Sequence, residues 1–396
     1  MSNDTATEPE QTPAPATPVK EPRTSGLPSW AVQGLVSLSA IVLALVVGAI
    51  LIIIGDDQVK AAAGYFGAAP MDTISAAFTA VGEAYKALAV GALGGLDPIS
   101  ESLTQATPLI CGGLAVSLAF RTGLFNIGAQ GQLIMGAILA AYVGFAWQLP
   151  PGLHLVVAVI AGLIGGAIWG GVVGLLKART GAHEVIVTIM LNYIAYYLLF
   201  YALSRQFLLQ APGSANPKSL PMKDSATLPK VLGDQFNLHL GFVLALVAVG
   251  VVWWLLNRST LGYRIRAVGE NSHAARASGI NVGRTYTIVM MIAGSLLGLA
   301  GINQVLGTVT SGVSLDLDAS IGFDAITVAL LGRSRPFGIL AAGLLFGALK
   351  AGGFTMQTSE NISVDLVLVV QSLIVLFLAA PPLVRAIFRL PTQEAK

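Results

Sequence analysis

The segment RSTLGYRIRAVGENSHAARASGINVGR, residues 258–284, separates two of the most apolar runs of the chain. Its arginines are Arg258, Arg264, Arg266, Arg276 and Arg284, and they face one acid, Glu270. Because charge of this density is costly in hydrocarbon, we expect a loop held against one face of a membrane. Gly262 and Gly269 are expected to interrupt the first half of this loop.

The second half of the segment predicts a short helix. Asn271 or Ser272 can cap an Ala-rich turn over residues 273–278, and Gly279 can end it. Two interpretations remain open. The segment is either a solvated loop that only fixes membrane topology, or a coupling element through which a partner protein moves the membrane helices.

Composition decides the class of protein. Hydrophobic residues make up 55% of the 396 residues and charged residues 11%, with a mean hydropathy of +0.75. Soluble chains carry about 25% charged residues, so we predict an all-α polytopic membrane protein. The single cysteine, Cys111, excludes an intrachain disulfide. The four histidines lack the spacing of metal ligands, and we expect no metal site.

Apolar runs of about 20 residues can cross a bilayer, and they predict about ten transmembrane helices. These runs lie at residues 31–54, 103–120, 126–146, 153–176, 184–203, 240–256, 286–306, 321–331, 338–354 and 364–380. The run at 321–331 is short, which predicts a broken or re-entrant helix. Residues 61–101 are only half apolar and are expected to be interfacial or loosely helical.

The spans define the domain organisation. Residues 1–29 are rich in Pro, Thr, Ala and Glu and are expected to form a disordered cytoplasmic tail. Residues 30–390 are expected to form one transmembrane domain with an internal pseudo-repeat. Within it, residues 206–238 form a long extracytoplasmic loop with prolines and lysines, which either docks a partner or is merely tolerated.

The positions of Lys and Arg set the orientation. With ten spans and a cytoplasmic N-terminus, most of the 22 lysines and arginines fall on the inner side. Lys350 is one of those assigned to the outer side. The positive-inside rule therefore places residues 258–284 in the cytoplasm.

Small residues recur every four positions in three of the predicted spans. They are Ala158, Gly162, Gly166, Gly170 and Gly174, then Gly294 and Gly298, then Gly343, Gly347 and Ala351. Such stripes let helix backbones approach closely, which is how membrane helices associate. They predict a compact bundle.

Polar side chains at membrane depth are costly and mark either interhelical hydrogen bonds or a translocation path. GLFNIGAQGQ carries Asn126, Gln130 and Gln132 among glycines. Asn126 and Gln130 would share one face if this stretch were helical, but the glycines favour a broken or very closely packed helix.

Further polar groups lie inside apolar runs. They are Glu184, Thr188 and Asn192, which form a stripe, and Asn303 and Asp324. Asp324 is the one carboxylate deep in its run, with Arg333 or Arg335 as candidate partners. We interpret it as functional or as ion-paired for structure.

Motifs for energy conversion and hydrolysis are absent. No glycine precedes a lysine, so the chain has no Walker A motif. It also has no H-E-x-x-H or G-x-S-x-G motif, which disfavours a membrane-embedded enzyme. Any energy for transport comes from another polypeptide or from a gradient.

Four stretches carry a family resemblance. They are TPLICGGLAVSLAFRTGLFNIGAQGQLIMGA (107–137), HEVIVTIMLNYIA (183–195), LGYRIRAVGENSHAARASGIN (261–281) and IGFDAITVALLGRSRPFG (321–338). In this order they resemble the permease subunit of a bacterial ATP-binding-cassette importer of the branched-chain amino acid/ribose permease superfamily. They are most similar to nucleoside permeases that work with Bmp-type binding lipoproteins. The resemblance runs from about residue 103 to residue 381.

The resemblance implies roles for two sets of residues. The coupling set, seated in a groove of an ATP-binding subunit, is Arg264, Arg266, Gly269, Glu270, Asn271, Arg276 and Gly279. The substrate-path set is Asn126, Gln130, Gln132, Asn192, Asn303 and Asp324. Tyr193, Tyr196 and Tyr197 could stack on a ring-bearing solute, although core packing would explain them equally well.

The resemblance also implies partners and a location. It implies an ATP-binding subunit with a double cassette, which uses ATP and Mg²⁺, whereas this chain binds no cofactor. A second permease, either a paralogue or an identical copy, and an extracytoplasmic substrate-binding lipoprotein complete the importer. The chain would lie in the bacterial cytoplasmic membrane and bind a small molecule, not nucleic acid.

Three departures from the family pattern and several alternatives bear on the substrate. Gln130 stands where the family usually has glutamate, which removes a charge from the path. His183 replaces the usual asparagine and Ser272 the usual proline.

Simple sugars and branched-chain amino acids are alternative substrates to a nucleoside. A gradient-driven transporter that uses Asp324 and Glu184 as ion sites is a further alternative.

Overall fold

The computed structural model describes residues 29–213, 216–360 and 364–388. Of the tail expected over residues 1–29, residues 1–28 lie outside the described residues, and Ser29 is the first residue of a helix. The described helices are α1 (Ser29–Gly55), α2 (Asp57–Ala63), α3 (Pro70–Leu93), α4 (Leu96–Arg121), α5 (Ala129–Ala146), α6 (Leu153–Thr180), α7 (Glu184–Leu203), α8 (Gly241–Arg258), α9 (Thr260–Glu270), α10 (Ser272–Ala277), α11 (Val282–Asn303), α12 (Ile321–Leu331), α13 (Pro336–Glu360), α14 (Val364–Ala379) and α15 (Pro381–Phe388). A π-helical turn, Gln304–Thr308, extends α11.

The prediction of an all-α polytopic membrane protein is confirmed. Within the described ranges, eight helices are long and apolar enough to cross a membrane. Two of the ten predicted spans are shorter helices, α12 with 11 residues and α14 with 16. At about 1.5 Å per residue, α12 is roughly 16 Å long, about half of a bilayer's hydrocarbon core.

The region expected to be interfacial or loosely helical is regular instead. α3 is a continuous helix of 24 residues that begins at Pro70, where the missing N–H costs nothing. It packs on α13 at two glycines, where Gly91 meets Thr355 and Gly352 meets the main chain of Leu88. The charged residues of α3 made this stretch look only half apolar in the sequence, so the packing was not predicted.

The core surrounds α4, and the predicted small-residue stripes form its closest contacts. Gly166 lies against the main chain of Gly294, and Gly298 against that of Gly162, so α6 and α11 touch backbone to backbone. The third stripe packs α13 on α4 in the same way, with Gly347 against the Ser102 carbonyl. The predicted compact bundle is confirmed.

The long connection between α7 and α8 is fastened to the helices at one end of the bundle. The Lys223 N–H donates to the Gly144 carbonyl and the Leu228 N–H to the Leu306 carbonyl. His154, fully buried on α6, bonds the Ser225 hydroxyl at 2.7 Å. The described part of this loop therefore caps the bundle, and docking of a partner on it stays a prediction.

Candidate functional site

The chain between α4 and α5 is a broken segment, as its glycines predicted. Helix α4 ends at Arg121 and α5 begins only at Ala129. Asn126 therefore lies in non-helical chain, and the expectation that it shares a helix face with Gln130 is wrong. Its carboxamide instead pairs with that of Gln132 through bonds of 3.2 and 3.3 Å, and its oxygen accepts the Gly128 N–H at 3.0 Å.

This amide pair holds the broken segment rather than facing a cavity. Asn126 and Gln132 are both fully buried. Each supplies one donor and one acceptor to the other, so the cost of burying their polar atoms is offset. The two side chains therefore stabilise the packing beside the candidate path.

Asn192 on α7 fixes the other side of the same segment. Its side-chain oxygen accepts the Gly131 N–H at 2.8 Å, and its nitrogen donates to the Ile127 carbonyl at 2.9 Å. One turn earlier, Thr188 packs against Gly128. Of the predicted stripe, Asn192 thus satisfies freed backbone groups of the break and Thr188 packs against it. Glu184 instead forms an ion pair with Lys177 at 2.8 Å.

A cleft of about 530 Å³ opens where α5, α7 and α12 meet. Its lining residues are Ile127, Gln130, Ile189, Asn192, Tyr193, Tyr196, Tyr197 and Phe323. None of these described lining residues is charged. The cleft combines two amides, three phenols and a phenyl ring, a set suited to an uncharged solute with a flat face.

The tyrosines do not belong to the core. Tyr193 is 60% exposed and Tyr197 65% exposed on the surface of the described chain. Core packing, one of the two explanations open from the sequence, therefore does not account for them. Phe323 on α12 is also exposed and lies in the same cleft.

Asp324 and Asn303 are separate from this cleft. Asp324 forms an ion pair of 2.6 Å with Lys350 of α13, so neither Arg333 nor Arg335 is its partner. The side chain of Lys350, which we assigned to the outer side by topology, is only 15% exposed because it pairs with Asp324. Asn303 is fully buried and donates to the Leu299 carbonyl at 2.8 Å.

The basic segment forms two helices, α9 and α10. Helix α9 runs without interruption through Gly262 and Gly269, contrary to the expected breaks. Both glycines serve close approach instead. Gly262 meets the Leu255 carbonyl, and Gly269 meets that of Arg121 at the end of α4.

The predicted short helix is confirmed as α10. The Asn271 side chain caps it by accepting the N–H groups of His273 and Ala274, both at 3.0 Å. Gly279 follows it in the left-handed conformation, with a φ of 82°. Ala275 is buried, whereas Arg264 and Arg276 are exposed, so this segment presents charge to the surface.

Sequence reasoning missed Phe323 as a cleft residue and Lys350 as an ion-pair partner. A phenylalanine in an apolar run carries no signal of exposure. Lys350 was assigned by topology alone, although a lysine inside an apolar run is itself a signal that a carboxylate lies opposite.

Comparison with known proteins agrees with this architecture. The family described as branched-chain amino acid transport system / permease component matches residues 98–379. The chain belongs to this family. It is thus a multi-pass membrane component of transport systems rather than a catalyst, and the matched range contains both the cleft and the basic helices.

Curated relatives share most of the length of this permease. The guanosine ABC transporter permease protein NupP of Bacillus subtilis is 37% identical over 89% of this chain and 94% of its own. The nucleoside ABC transporter permease protein NupB of Lactococcus lactis is 35% identical over 74% of this chain and 82% of its own length. The glucose ABC transporter permease protein TsgB13 of Haloferax volcanii is 33% identical over 75% of this chain and 80% of its own length.

Proposed function

We propose that this chain is the permease subunit of an ATP-binding-cassette importer and that it translocates a nucleoside or a related ribose-containing solute. The uncharged cleft with Gln130, Asn192 and the three tyrosines is the observation that carries this proposal. The similarity to NupP and NupB, whose names specify guanosine and nucleosides, supports it.

The cleft offers each part of a nucleoside a matching group. A purine or pyrimidine base can stack on Tyr193, Tyr197 or Phe323. The free hydrogen-bonding capacity of Gln130 suits base edges and ribose hydroxyls, because a carboxamide both donates and accepts. A hexose offers an aromatic ring only its C–H face, whereas a planar base can stack through its whole ring, so the aromatic walls favour a nucleoside over a hexose.

The energy comes from ATP hydrolysed, with Mg²⁺, on a partner subunit that bears a double cassette. Helices α9 and α10 are the coupling element, and its exposed charged residues are Arg264, Arg266, Glu270 and Arg276. Gly269 transmits movement because it lies on the carbonyl of Arg121. The chain continues from Arg121 directly into the broken segment, which leads to Gln130 in the first turn of α5.

The remaining partners follow from exposed surfaces. The cleft and the exposed aromatic face of α7 open to one side of the bundle, where a second permease, either a paralogue or an identical copy, would complete the path. A substrate-binding lipoprotein would deliver solute to the extracytoplasmic loop over residues 206–238. The transmembrane domain, residues 30–390, would lie in the cytoplasmic membrane with its N-terminus inside.

Competition for uptake tests the substrate class. Cells that express the whole importer take up labelled guanosine, and excess unlabelled nucleoside is expected to compete while glucose and leucine do not. Gln130→Ala should raise the KM for guanosine, whereas Gln58→Ala on the exposed face of α2 should not. Competition by glucose alone would support the sugar alternative, for which the similarity to TsgB13 is the specific observation.

The gradient-driven alternative is disfavoured by the state of its candidate ion sites. Asp324 is paired with Lys350, and Glu184 with Lys177 at 2.8 Å. A carboxylate already neutralised by a lysine is a poor site for a transported cation. Uptake that survives ATP depletion but stops with an uncoupler would favour this alternative.

A further inference from the structure

Helix α12 is held between two strained turns. Among the described residues, the non-glycine residues with positive φ are Ala319 (43°), Ser320 (63°), Arg333 (51°) and Ser334 (51°). The first two immediately precede α12 and the last two follow it within three residues. L-residues adopt this conformation only where the surroundings impose it, and such sites cluster at elements that switch.

The cleft-facing side of α12 is fixed by one close contact. Gly322 lies so near the start of α5 that a methyl group on it would come within 2.6 Å of the Gln130 nitrogen. The next residue, Phe323, lines the cleft. The position of α12 therefore sets the shape of the cleft around Gln130.

The opposite side of α12 is held by a partly buried ion pair. The Asp324 carboxylate and the Lys350 ammonium are 2.6 Å apart, with 17% and 15% of their side chains exposed. Asp324 also borders a second cavity, of about 230 Å³, between α12, α13 and α14. Its other lining residues are Ser320, Thr327, Phe346, Leu368 and Ser372.

We propose that Asp324 and Lys350 are positioning residues for translocation. The proposal rests on the proposed transport function. The ion pair holds α12 against α13 between its strained ends, so that Gly322 stays on Gln130 and Phe323 stays in the cleft. Without the pair, the turns can relax and α12 moves away from α5, while the cavity beside Asp324 gives the side chains room to separate.

The ion pair predicts a specific pattern among variants. Removing one partner leaves an unpaired charge at membrane depth, which costs more than removing both. Exchange of the two residues, Asp324→Lys with Lys350→Asp, restores an ion pair in the same place. A positioning role therefore predicts that the exchange rescues what the single changes lose.

Two readouts test the proposal in the assembled importer in proteoliposomes, with guanosine as the probe. The first is ATP-driven uptake per folded transporter. The second is the thiol labelling rate of Phe323→Cys, measured without substrate. The native Cys111 is fully buried and does not interfere. Asp324→Asn and Lys350→Gln are each expected to lower Vmax roughly tenfold, the effect of a change of about 1.4 kcal/mol in the barrier. Both should also raise the KM for guanosine, because the cleft around Gln130 changes shape, and change the labelling rate.

The exchange variant should restore both readouts towards wild type. Should a single variant fail to fold, the double change Asp324→Asn with Lys350→Gln, which leaves no lone charge, replaces it and is expected to keep the altered labelling. Normal labelling and turnover in the folded double variant would overturn the proposal. A labelling change in a protein that does not transport guanosine would keep the positioning role and refute the substrate assignment alone.

Discussion

Gly269 in α9 lies directly on the main-chain carbonyl of Arg121, the last residue of α4. This contact joins the basic helices α9 and α10 to the chain that leads into the cleft. No residue with a Cβ fits there unless one of the two backbones moves, since a main-chain carbonyl cannot rotate away like a side chain. The contact explains why a glycine occupies this position inside a continuous helix.

Gly269→Ala should uncouple ATP hydrolysis from uptake while membrane insertion stays normal. A loss of coupling free energy of about 1–3 kcal/mol would lower the ratio of uptake to hydrolysis roughly 5- to 150-fold. The matched control is Gly250→Ala in α8, where a methyl group meets no atom within 4 Å. Equal coupling ratios in the two variants would argue against transmission through Arg121.

The α6–α11 contact predicts a graded set of stability effects. Gly166→Ala would place a methyl group against the main chain of Gly294, and we expect a loss of about 1–3 kcal/mol in stability. Gly171→Ala on the same helix meets only the flexible side chain of Met291 at 3.0 Å, so it should be nearly neutral. Thermal unfolding of the detergent-solubilised protein distinguishes them, and similar melting temperatures would mean that the helices are not in backbone contact.

Asn192→Leu keeps the side-chain volume but removes both hydrogen bonds to the broken segment. The Gly131 N–H and the Ile127 carbonyl lose their partners, and each unsatisfied buried group costs about 1–3 kcal/mol. Uptake per inserted molecule should fall sharply. Asn257→Leu is the control, since Asn257 is exposed and bonds only within its own helix. Full uptake by Asn192→Leu would show that the segment does not depend on α7.

His239, just before α8, predicts an acid-sensitive fold. Burial lowers the pKa of its imidazole from 6.5 to about 4, and its Nδ1 accepts the Gly241 N–H at 3.2 Å. The unfolded chain therefore binds the proton more readily than the folded one. Stability is complete above about pH 6.5 and falls as the pH drops towards 4, by up to about 3 kcal/mol.

Melting temperatures at neutral and acidic pH check this linkage. His239→Gln should reduce the loss of stability between pH 6.5 and pH 4. His183→Gln, at an exposed position, should retain the full loss. The account of His239 is wrong if both variants lose stability as the wild type does.

The sequence was sufficient for the fold class and for much of the close packing. Glycines every four residues on α6 and α11 predicted their contact, because only small residues let backbones touch. The cap at Asn271 and the stop at Gly279 were also readable, since both are local signals. Gly269 was misread as a helix break, because a glycine that permits close approach and one that ends a helix look the same without the facing chain.

The residues of the candidate site were harder to predict from the sequence for the same reason. The sequence groups three polar residues closely together, Asn126, Gln130 and Gln132. Only Gln130 lies in the cleft, whereas the other two side chains bond each other. Which side of a short helix Asp324 occupies depends on how α12 is placed by its neighbours. No local pattern separates an amide that meets solute from one that holds the backbone.

Reconstitution of the chain in liposomes with a second permease and the binding protein, with and without the ATP-binding subunit, tests the central claim most directly. The account predicts guanosine accumulation against its gradient only when the ATP-binding subunit and ATP are present. Uphill accumulation without that subunit would contradict it.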